Sequence, residues 1–373
     1  MNPSKFVADR VADIGASGIR RVFDLGASMK NPVNLSIGQP DYPVPDSVKR
    51  AMVDAILADR NGYTVTRGIA PLRERIAREL KARYNWEPDL FVISGLSGGL
   101  FLSMLTCINP GDEVIFTDPY FVSYPFLVRL AGGTPVPVSI YDDFQLHPER
   151  IEAAITKRTK MLLLSSPGNP TGIVYHRSEL EAVAAIARKH DLLIVSDEIY
   201  EVLCYDGEPA TPVEFAPERT IMLRGFGKSH AMTGLRIGYA AGPGEIISEM
   251  AKLQQYTYVC APQPAQFGAL AAFDTDMTDR RREYRAKRDL VCDALEGHFE
   301  FVRPSGGFYV FPQAPARFAS ASAFVEEAIK RNVLIINGGT FSARDSHFRI
   351  SYAAPNGRLY GGCEILKSLA AGK

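Results

Sequence analysis

Residues 161–164 read Met161-Leu162-Leu163-Leu164, and a second short apolar run follows at Leu192-Leu193-Ile194-Val195. Short apolar runs bounded by turn residues are typical of strands that are buried on both faces of a parallel sheet. Between the two runs, residues 178–189 have apolar positions at helical spacing, and Ser178 is a suitable N-cap. A third apolar run, Thr220–Leu223, continues the alternation. The pattern predicts an α/β fold built on a mostly parallel sheet.

The same alternation extends toward the N-terminus and changes toward the C-terminus. Helical patterns cover Asp46–Arg60 and Leu72–Tyr84, and Val114–Phe116 reads as a further strand. A long charged helix is predicted from Pro264 to Glu296, with an interruption in the pattern near Asp274-Thr275-Asp276. Three strand-like pieces follow it: Gly307–Phe311, Val333–Ile336 and Phe348–Tyr352. We therefore expect the C-terminal part to form a smaller α+β domain, with the long helix as its bridge.

The composition is that of an ordinary globular protein. With 373 residues, 46% of them hydrophobic, the chain is long enough for two domains with large cores. Its 42 Lys and Arg residues balance 42 Asp and Glu residues, so no net charge favours binding to nucleic acid or to an anionic membrane surface. Five scattered cysteines form no C-x-x-C pair for a metal or redox site, and no apolar signal segment opens the sequence. We expect a cytoplasmic protein that binds no metal and no nucleic acid.

One uncharged stretch, from Leu90 to Gly111, is long enough to span a bilayer if only its length is considered. Glycines and serines interrupt it at residues 94–99, and Asn109-Pro110-Gly111 closes it. This pattern favours a strand, a glycine turn and a buried helix over a membrane span.

Several polar groups follow the predicted strands directly. Lys228 comes after Thr220–Leu223 in the run Leu223-Arg224-Gly225-Phe226-Gly227-Lys228, and Asp197 and Tyr200 follow Leu192–Val195. Ligands of an open α/β sheet bind beyond the carboxyl ends of its strands, so these side chains should converge at one edge. Pyridoxal phosphate needs such a set, since its aldehyde condenses with a lysine amine and its ring nitrogen holds a proton best beside a buried carboxylate.

Each of these residues also has a simpler interpretation. Asp197 alone could be a turn or N-cap residue, and Lys228 alone could be a surface lysine. A phosphate-binding P-loop ending at Gly227-Lys228 is excluded, because that motif needs a glycine where Met222 stands.

Further candidates lie near the predicted strand ends. The glycine turn of residues 94–99 could direct free amides toward a phosphate, or simply connect two elements. Arg236 could clamp that phosphate or form a structural salt bridge. Asn169-Pro170 places an amide on a rigid turn, where the X-Pro bond can be cis. Arg349, in an otherwise apolar strand, should meet an anion, which is a carboxylate either of the protein or of a substrate.

Taken in order, these motifs resemble the class I/II, fold type I pyridoxal-phosphate-dependent aminotransferases. The resemblance extends from Leu35-Ser36-Ile37-Gly38-Gln39-Pro40-Asp41 to Phe348-Arg349-Ile350-Ser351-Tyr352. It implies a three-layer α/β/α large domain with a mostly parallel sheet at residues 42–270. It further implies a discontinuous small α+β domain made of residues 1–41 and 271–373.

For the cofactor ring, the resemblance implies that Lys228 is the Schiff-base lysine and Asp197 the partner of the pyridine nitrogen. Tyr200 then corresponds to the donor to the ring hydroxyl, and Asn169 to the partner of the ring oxygen. Phe121 occupies the position whose aromatic side chain stacks on the ring, where relatives often carry Trp or Tyr.

For the phosphate, the resemblance implies a cradle of Gly95, Leu96 and Ser97 with Arg236 as its charged clamp. Tyr63 corresponds to the tyrosine that reaches the phosphate of the partner subunit, which implies a homodimer. Relatives commonly read Ser-x-Ser-Lys before the attachment point, but Gly225 and Gly227 stand here instead, so we expect Ser229 or a backbone amide to compensate.

For the substrate, the resemblance implies that Arg349 anchors the carboxylate, together with the Gly38 backbone and Asn169. If the segment Ser17–Arg20 lies over the site, Ile19 is an apolar part of its lining. A second arginine of the kind that the family's dicarboxylate enzymes use is not identified, so acidic, aromatic and aliphatic substrates all stay open.

The resemblance implies a ping-pong transfer of an amino group from an L-amino acid to a 2-oxo acid. Lys228 would be both the covalent partner and the general acid/base, while Asp197 and Tyr200 tune the ring. Two alternatives stay open. A β-lyase or an aminocyclopropane-carboxylate-synthase-like enzyme would use the same ring contacts, and a non-catalytic ligand-binding regulator could use the same fold.

Overall fold

The computed structural model of the protein describes residues 1–12, 15 and 18–372. The helices are α1 (Asp9–Ala12), α2 (Gly18–Ser28), α3 (Asp46–Leu57), α4 (Ala70–Tyr84), α5 (Gly95–Cys107), α6 (Tyr124–Leu130), α7 (Pro148–Ala153), α8 (Arg177–Lys189), α9 (Gly244–Thr257), α10 (Gln263–Ala272), α11 (Thr278–Leu295), α12 (Ala321–Lys330) and α13 (Asn356–Ala370). The strands are β1 (Val33–Asn34), β2 (Asp89–Ile93), β3 (Glu113–Asp118), β4 (Thr134–Ser139), β5 (Thr159–Ser165), β6 (Leu193–Asp197), β7 (Thr220–Gly225), β8 (Gly238–Gly242), β9 (Tyr309–Val310), β10 (Val333–Leu334), β11 (Ile336–Asn337) and β12 (Phe348–Ser351).

Seven strands form the central sheet in the order β2-β8-β7-β6-β5-β3-β4. Strand β8 runs antiparallel to both of its neighbours, and the other pairings are parallel, so the predicted mostly parallel sheet is confirmed. The stretch from Leu90 to Gly111 forms strand, turn and buried helix, as its interior pattern predicts. No helix among the described residues is long and apolar enough to cross a membrane.

Helices cover both faces of this sheet, which confirms the predicted three layers. Alternate residues of β7 enter different cores: Ile221 and Leu223 pack with α5 and α9, while Met222 packs with α3, α4 and α10. The strands are therefore buried on both sides, and this is why they read as continuous apolar runs rather than as alternating ones.

The C-terminal part has its own core, between α11, α13 and an antiparallel sheet of order β11-β12-β9. A separate parallel pair joins β1 to β10 through Val33 and Val333, which attaches the N-terminal segment to this part. The predicted strand at residues 333–336 is divided between β10 and β11, because its two halves pair with different partners.

Two local predictions differ from the structure. The helix predicted from Pro264 to Glu296 is two helices, α10 and α11, because the Asp276 carboxylate accepts a hydrogen bond from the Thr278 amide at 2.8 Å and starts a new helix after the break. Helix α8 has its N-cap at His176 rather than at Ser178. The Glu179 carboxylate accepts a hydrogen bond from the His176 amide at 2.9 Å, which places Ser178 inside the first turn.

Candidate active site

The carboxyl ends of several parallel strands bring the predicted side chains to one edge of the sheet. Asp197 ends β6, Lys228 follows β7, and Asn169 follows β5 across a turn that contains a cis Asn169-Pro170 bond. At the same edge, α5 begins directly after β2. Arg349 approaches from the C-terminal part, on β12.

These residues line a cavity of about 430 Å³. Every predicted site residue except Tyr63 contributes to its wall: Ile19, Gly38, Gly95, Leu96, Ser97, Phe121, Asn169, Asp197, Tyr200, Lys228, Arg236 and Arg349. The side chain of Tyr63 lies outside the cavity and is 86% exposed. Of the segment Ser17–Arg20, Ser17 lies outside the described residues, while Ile19 contributes to the wall.

The amine of Lys228 lies in this cavity and donates a hydrogen bond to the carbonyl oxygen of Gly38. Loss of hydration and the nearby charges of Arg349 and Arg236 lower its pKa to about 8, against the opposing effect of Asp197. A substantial fraction of the amine is therefore neutral near physiological pH, as a nucleophile requires.

The Asp197 carboxylate lines the cavity and is 5% exposed. Tyr124 donates a hydrogen bond to its Oδ2 atom at 2.8 Å, and the Ile199 amide donates to Oδ1 at 3.3 Å. Burial raises the pKa of Asp197 to about 6, which these two hydrogen bonds partly oppose. A cation that enters the cavity beside Asp197 would keep this carboxylate ionised. The sequence analysis did not identify Tyr124 as a hydrogen-bond donor to Asp197.

Arg349 is 1% exposed, and its guanidinium has only neutral partners. Nη1 donates to Asn169 Oδ1 at 2.9 Å and Nη2 donates to the Ser36 carbonyl at 2.7 Å, while the buried Nε has no partner. Burial lowers the pKa of Arg349. Among the described residues, no carboxylate lies within 4.0 Å of it, so the alternative that it pairs with a protein carboxylate finds no support there.

Aromatic rings hold the Arg349 guanidinium in place. It lies 4.3 Å from the ring centroid of Tyr309 and 4.8 Å from that of Phe341. Tyr309 also lines the cavity, and its hydroxyl is 3.1 Å from that of Tyr200. The sequence indicated only a strand at Tyr309, so its place in the site was missed.

The part of the cavity wall at the start of α5 is suited to an anion. Gly95 has a φ of +72° at the start of α5, and a Cβ atom there would lie 2.7 Å from Nη2 of Arg236. Arg236 therefore crosses the first turn of α5, where the free amides of Leu96 and Ser97 and the helix dipole favour negative charge. In the part of the chain that the structure describes, Arg236 forms no salt bridge.

The two glycines that replace serines differ in their surroundings. A Cβ atom at Gly225 would lie 2.7 Å from Leu96 and 3.1 Å from the Ile237 carbonyl, whereas at Gly227 the nearest atom is 3.8 Å away. Ser229 does not line this cavity: its hydroxyl pairs with His230 Nδ1 at 2.8 Å, and its side chain faces a separate cavity of about 220 Å³. Of the two expected compensations, the Ser229 hydroxyl is therefore wrong, because the side chain points away from this cavity, and a backbone amide stays a prediction.

The donor set fits pyridoxal phosphate. One cavity combines a neutralisable amine, a buried carboxylate for a protonated ring nitrogen, phenol and amide donors for a ring hydroxyl, and an anion-binding helix start for the phosphate. Among the described residues, no cluster of three or more His, Cys, Asp or Glu side chains could hold a metal ion.

Comparison with known proteins agrees with this chemistry. Residues 30–359 match the aminotransferase class I and II family. The chain is 39% identical to the aspartate/prephenate aminotransferase of Thermus thermophilus, over 88% of each chain. It is 34% identical to aromatic-amino-acid aminotransferase 2 of Thermococcus litoralis, over 95% of each chain. A solved Thermus thermophilus aspartate aminotransferase with maleate has a TM-score of 0.92 and 35% identity, over 97% of this chain and 99% of that one.

The chain belongs to the class I and II aminotransferases. It is thus a pyridoxal-phosphate-dependent transferase that moves an amino group between an amino acid and a 2-oxo acid.

Proposed function

We propose that this aminotransferase works from the cavity described above, with Lys228 as the attachment point of the cofactor and Arg349 as the anchor of the substrate carboxylate. One observation carries the proposal. Arg349 is a deeply buried guanidinium that lines the same cavity as Lys228 and has no carboxylate partner among the described residues. An uncompensated buried cation is expensive, so a ligand that brings an anion is strongly favoured.

Each of the remaining cavity residues would bind a different part of the cofactor. Asp197 would keep the ring nitrogen protonated, and Tyr200 would donate to the ring oxygen. Asn169 accepts from Arg349 through Oδ1, which leaves its Nδ2 free to donate to the same ring oxygen. Phe121 would stack on the ring, and the start of α5 with Arg236 would bind the phosphate.

When bound, pyridoxal phosphate supplies an electron-withdrawing ring that accepts the electron pair of the substrate Cα–H bond. Lys228 Nζ would be the base that removes the proton from the substrate Cα. Burial lowers the pKa of this amine in the ligand-free cavity, which favours its neutral, proton-accepting form.

Ile19 and Val122 are apolar residues of the cavity lining, and we propose that they contact the substrate side chain. Of the described residues that line the cavity, the cationic ones are Lys228, Arg236 and Arg349. If Arg236 binds phosphate and Arg349 binds the α-carboxylate, no cation of this lining remains for a second carboxylate. We therefore expect aromatic amino acids to react faster than aspartate. Aromatic amino acids are the substrates given in the name of the Thermococcus litoralis relative.

A screen with single 15N-labelled amino acids and a 2-oxo acid tests both the reaction and the substrate. We expect the label to appear in the newly formed amino acid, most rapidly from phenylalanine or tyrosine. Release of ammonia with pyruvate, or of a cyclised product, without label transfer would identify a lyase. Binding without conversion would identify a regulator. Fastest transfer from aspartate would contradict the charge assignment while leaving transamination intact.

We also propose a homodimer in which Tyr63 reaches the partner's site. Gln254 Nε2 donates to the Thr66 carbonyl at 3.0 Å and Gln266 Nε2 donates to the Thr64 hydroxyl at 3.2 Å, so this segment is held against α9 and α10. Exposed apolar side chains nevertheless project from the same region: Leu57, Tyr63, Val65, Tyr256 and Val259. A second copy that covers them would explain why a fixed segment exposes so many apolar groups.

Subunit complementation tests the role of Tyr63. Tyr63→Ala homodimers should need more cofactor for half-maximal activity, about tenfold, because one hydrogen bond to a charged phosphate is lost. After mixed refolding with Lys228→Ala, hybrid dimers should regain wild-type affinity at one site, which combines Lys228 of one chain with Tyr63 of the other. No recovery in the mixture would indicate that Tyr63 acts in its own subunit or not at all.

The division into residues 42–270 and residues 1–41 with 271–373 stays a proposal, which the pairing of β1 with β10 supports. A cytoplasmic location is likewise proposed, and the five free cysteines support it.

A further inference from the structure

Tyr309 is a buried cavity residue for which the mechanism above has no role. It lies on β9 in the C-terminal part and is 1% exposed, yet it lines the cavity of the catalytic residues. We propose that Tyr309 is a positioning residue whose hydroxyl donates to Tyr200 and thereby directs the Tyr200 proton toward the cofactor ring oxygen. The inference rests on the proposed function, because it takes Tyr200 as the donor to that oxygen.

The geometry links Tyr309 to three other parts of the site. Its hydroxyl lies 3.1 Å from the hydroxyl of Tyr200, and its ring face lies 4.3 Å below the Arg349 guanidinium. A Cβ atom at Gly38 would lie 2.6 Å from the Tyr309 hydroxyl and 4.0 Å from Lys228 Nζ. Because Gly38 has no side chain, the Tyr309 hydroxyl can occupy this space, close to the reactive amine.

The number of protons decides the direction of the hydrogen bond. Each phenol carries one hydrogen, and burial raises the pKa of both Tyr200 and Tyr309, so both stay protonated at neutral pH. If Tyr200 donates to the ring oxygen, it cannot also donate to Tyr309. Tyr309 must then be the donor and Tyr200 the acceptor, since no other hydrogen bond to the Tyr200 hydroxyl is found among the described residues.

In a chain of hydrogen bonds from Tyr309 to Tyr200 to the ring oxygen, each hydrogen bond strengthens the next. A hydroxyl that accepts a hydrogen bond becomes a better donor, and a fixed acceptor position removes its freedom to rotate. The Tyr200 hydroxyl would thus stabilise negative charge on the ring oxygen better with Tyr309 than without it. The ring of Tyr309 has a separate task, because its stacking on Arg349 does not need the hydroxyl.

The variant Tyr309→Phe separates these two tasks. It keeps the ring under Arg349 and removes only the donor to Tyr200. The control is Tyr352→Phe, which removes another fully buried hydroxyl of the same part of the chain that does not line the cavity. Thermal unfolding checks that both variants fold.

The readout is the pH at which the visible absorbance of the protein-bound cofactor changes, measured without substrate. We expect Tyr309→Phe to raise this midpoint by about one pH unit, because the charged form of the ring oxygen loses support. We also expect kcat to fall about tenfold at a nearly constant KM, since Arg349 stays stacked. The control should leave the midpoint unchanged.

A double variant supplies the decisive comparison. If Tyr309 acts through Tyr200, the midpoint of Tyr200→Phe/Tyr309→Phe should equal that of Tyr200→Phe alone. A shift for Tyr200→Phe with none for Tyr309→Phe, additive shifts in the double variant, or an equal shift in the Tyr352→Phe control would each overturn the inference and leave the site assignment standing. No shift for Tyr200→Phe would refute the assignment of Tyr200 itself, and the inference with it.

Discussion

Replacing Lys228 by alanine should reduce amino-group transfer by roughly 10⁴-fold or more and eliminate covalent attachment of the cofactor, because both the nucleophile and the proton carrier are lost. The fold should persist. Among the described residues, the only hydrogen bond of the amine goes to the Gly38 carbonyl, and burial already destabilises the charged form of the amine. Steady-state rates, the visible absorbance of the bound cofactor and the thermal unfolding midpoint together measure these effects.

A matched surface variant, Lys252→Ala, provides the control. This lysine pairs with Glu249 on α9, and its side chain is exposed. It should retain full activity and full colour. Near-normal turnover of Lys228→Ala would contradict the account, as would loss of the folded state in that variant, since the latter would make Lys228 a structural residue.

The second large effect is expected for Arg349→Ala. Removing the carboxylate anchor should lower kcat/KM by about three orders of magnitude, because two charge-assisted hydrogen bonds to the substrate are lost. The affinity for the cofactor should change far less, since Arg349 would affect the cofactor only indirectly, through its hydrogen bond to Asn169. Equilibrium titration of the cofactor and steady-state kinetics with the amino acid separate the two quantities.

Stability provides an independent test of Arg349. A buried guanidinium without an anion is a burden on the ligand-free fold, so Arg349→Met, of similar volume, should unfold at an equal or higher temperature than the wild type. A large loss of stability, or an equal loss of cofactor and substrate binding, would make Arg349 a structural residue instead.

The sequence predicted the sheet edge well because the relevant signals are local. Lys228, Asp197 and Asn169 each follow an apolar run, and strands buried on both faces have few other interpretations. Supporting residues were harder to find. Tyr124 reaches Asp197 from a helix, and Tyr309 reaches Tyr200 from the other part of the chain, so only the tertiary structure brings them into contact.

Other differences arise where side-chain direction depends on one turn. Ser229 is adjacent to Lys228 in sequence, yet its hydroxyl pairs with His230 and faces another cavity. The sequence Asp274-Thr275-Asp276 marks the break between α10 and α11, but the helical pattern on both sides of it suggested a single helix. The spacing of residues in the sequence shows which ones are neighbours along the chain. It does not determine the direction in which each side chain of a turn points.

The central claim is that Lys228 is the residue that binds the cofactor covalently. Reduction of the cofactor-loaded protein with borohydride, followed by proteolysis and mass spectrometry, tests it directly. The account predicts one modified peptide, with the added mass on Lys228, and no modification in Lys228→Ala. A protein that carries no adduct after reduction, or that carries it on a different lysine, would contradict the account.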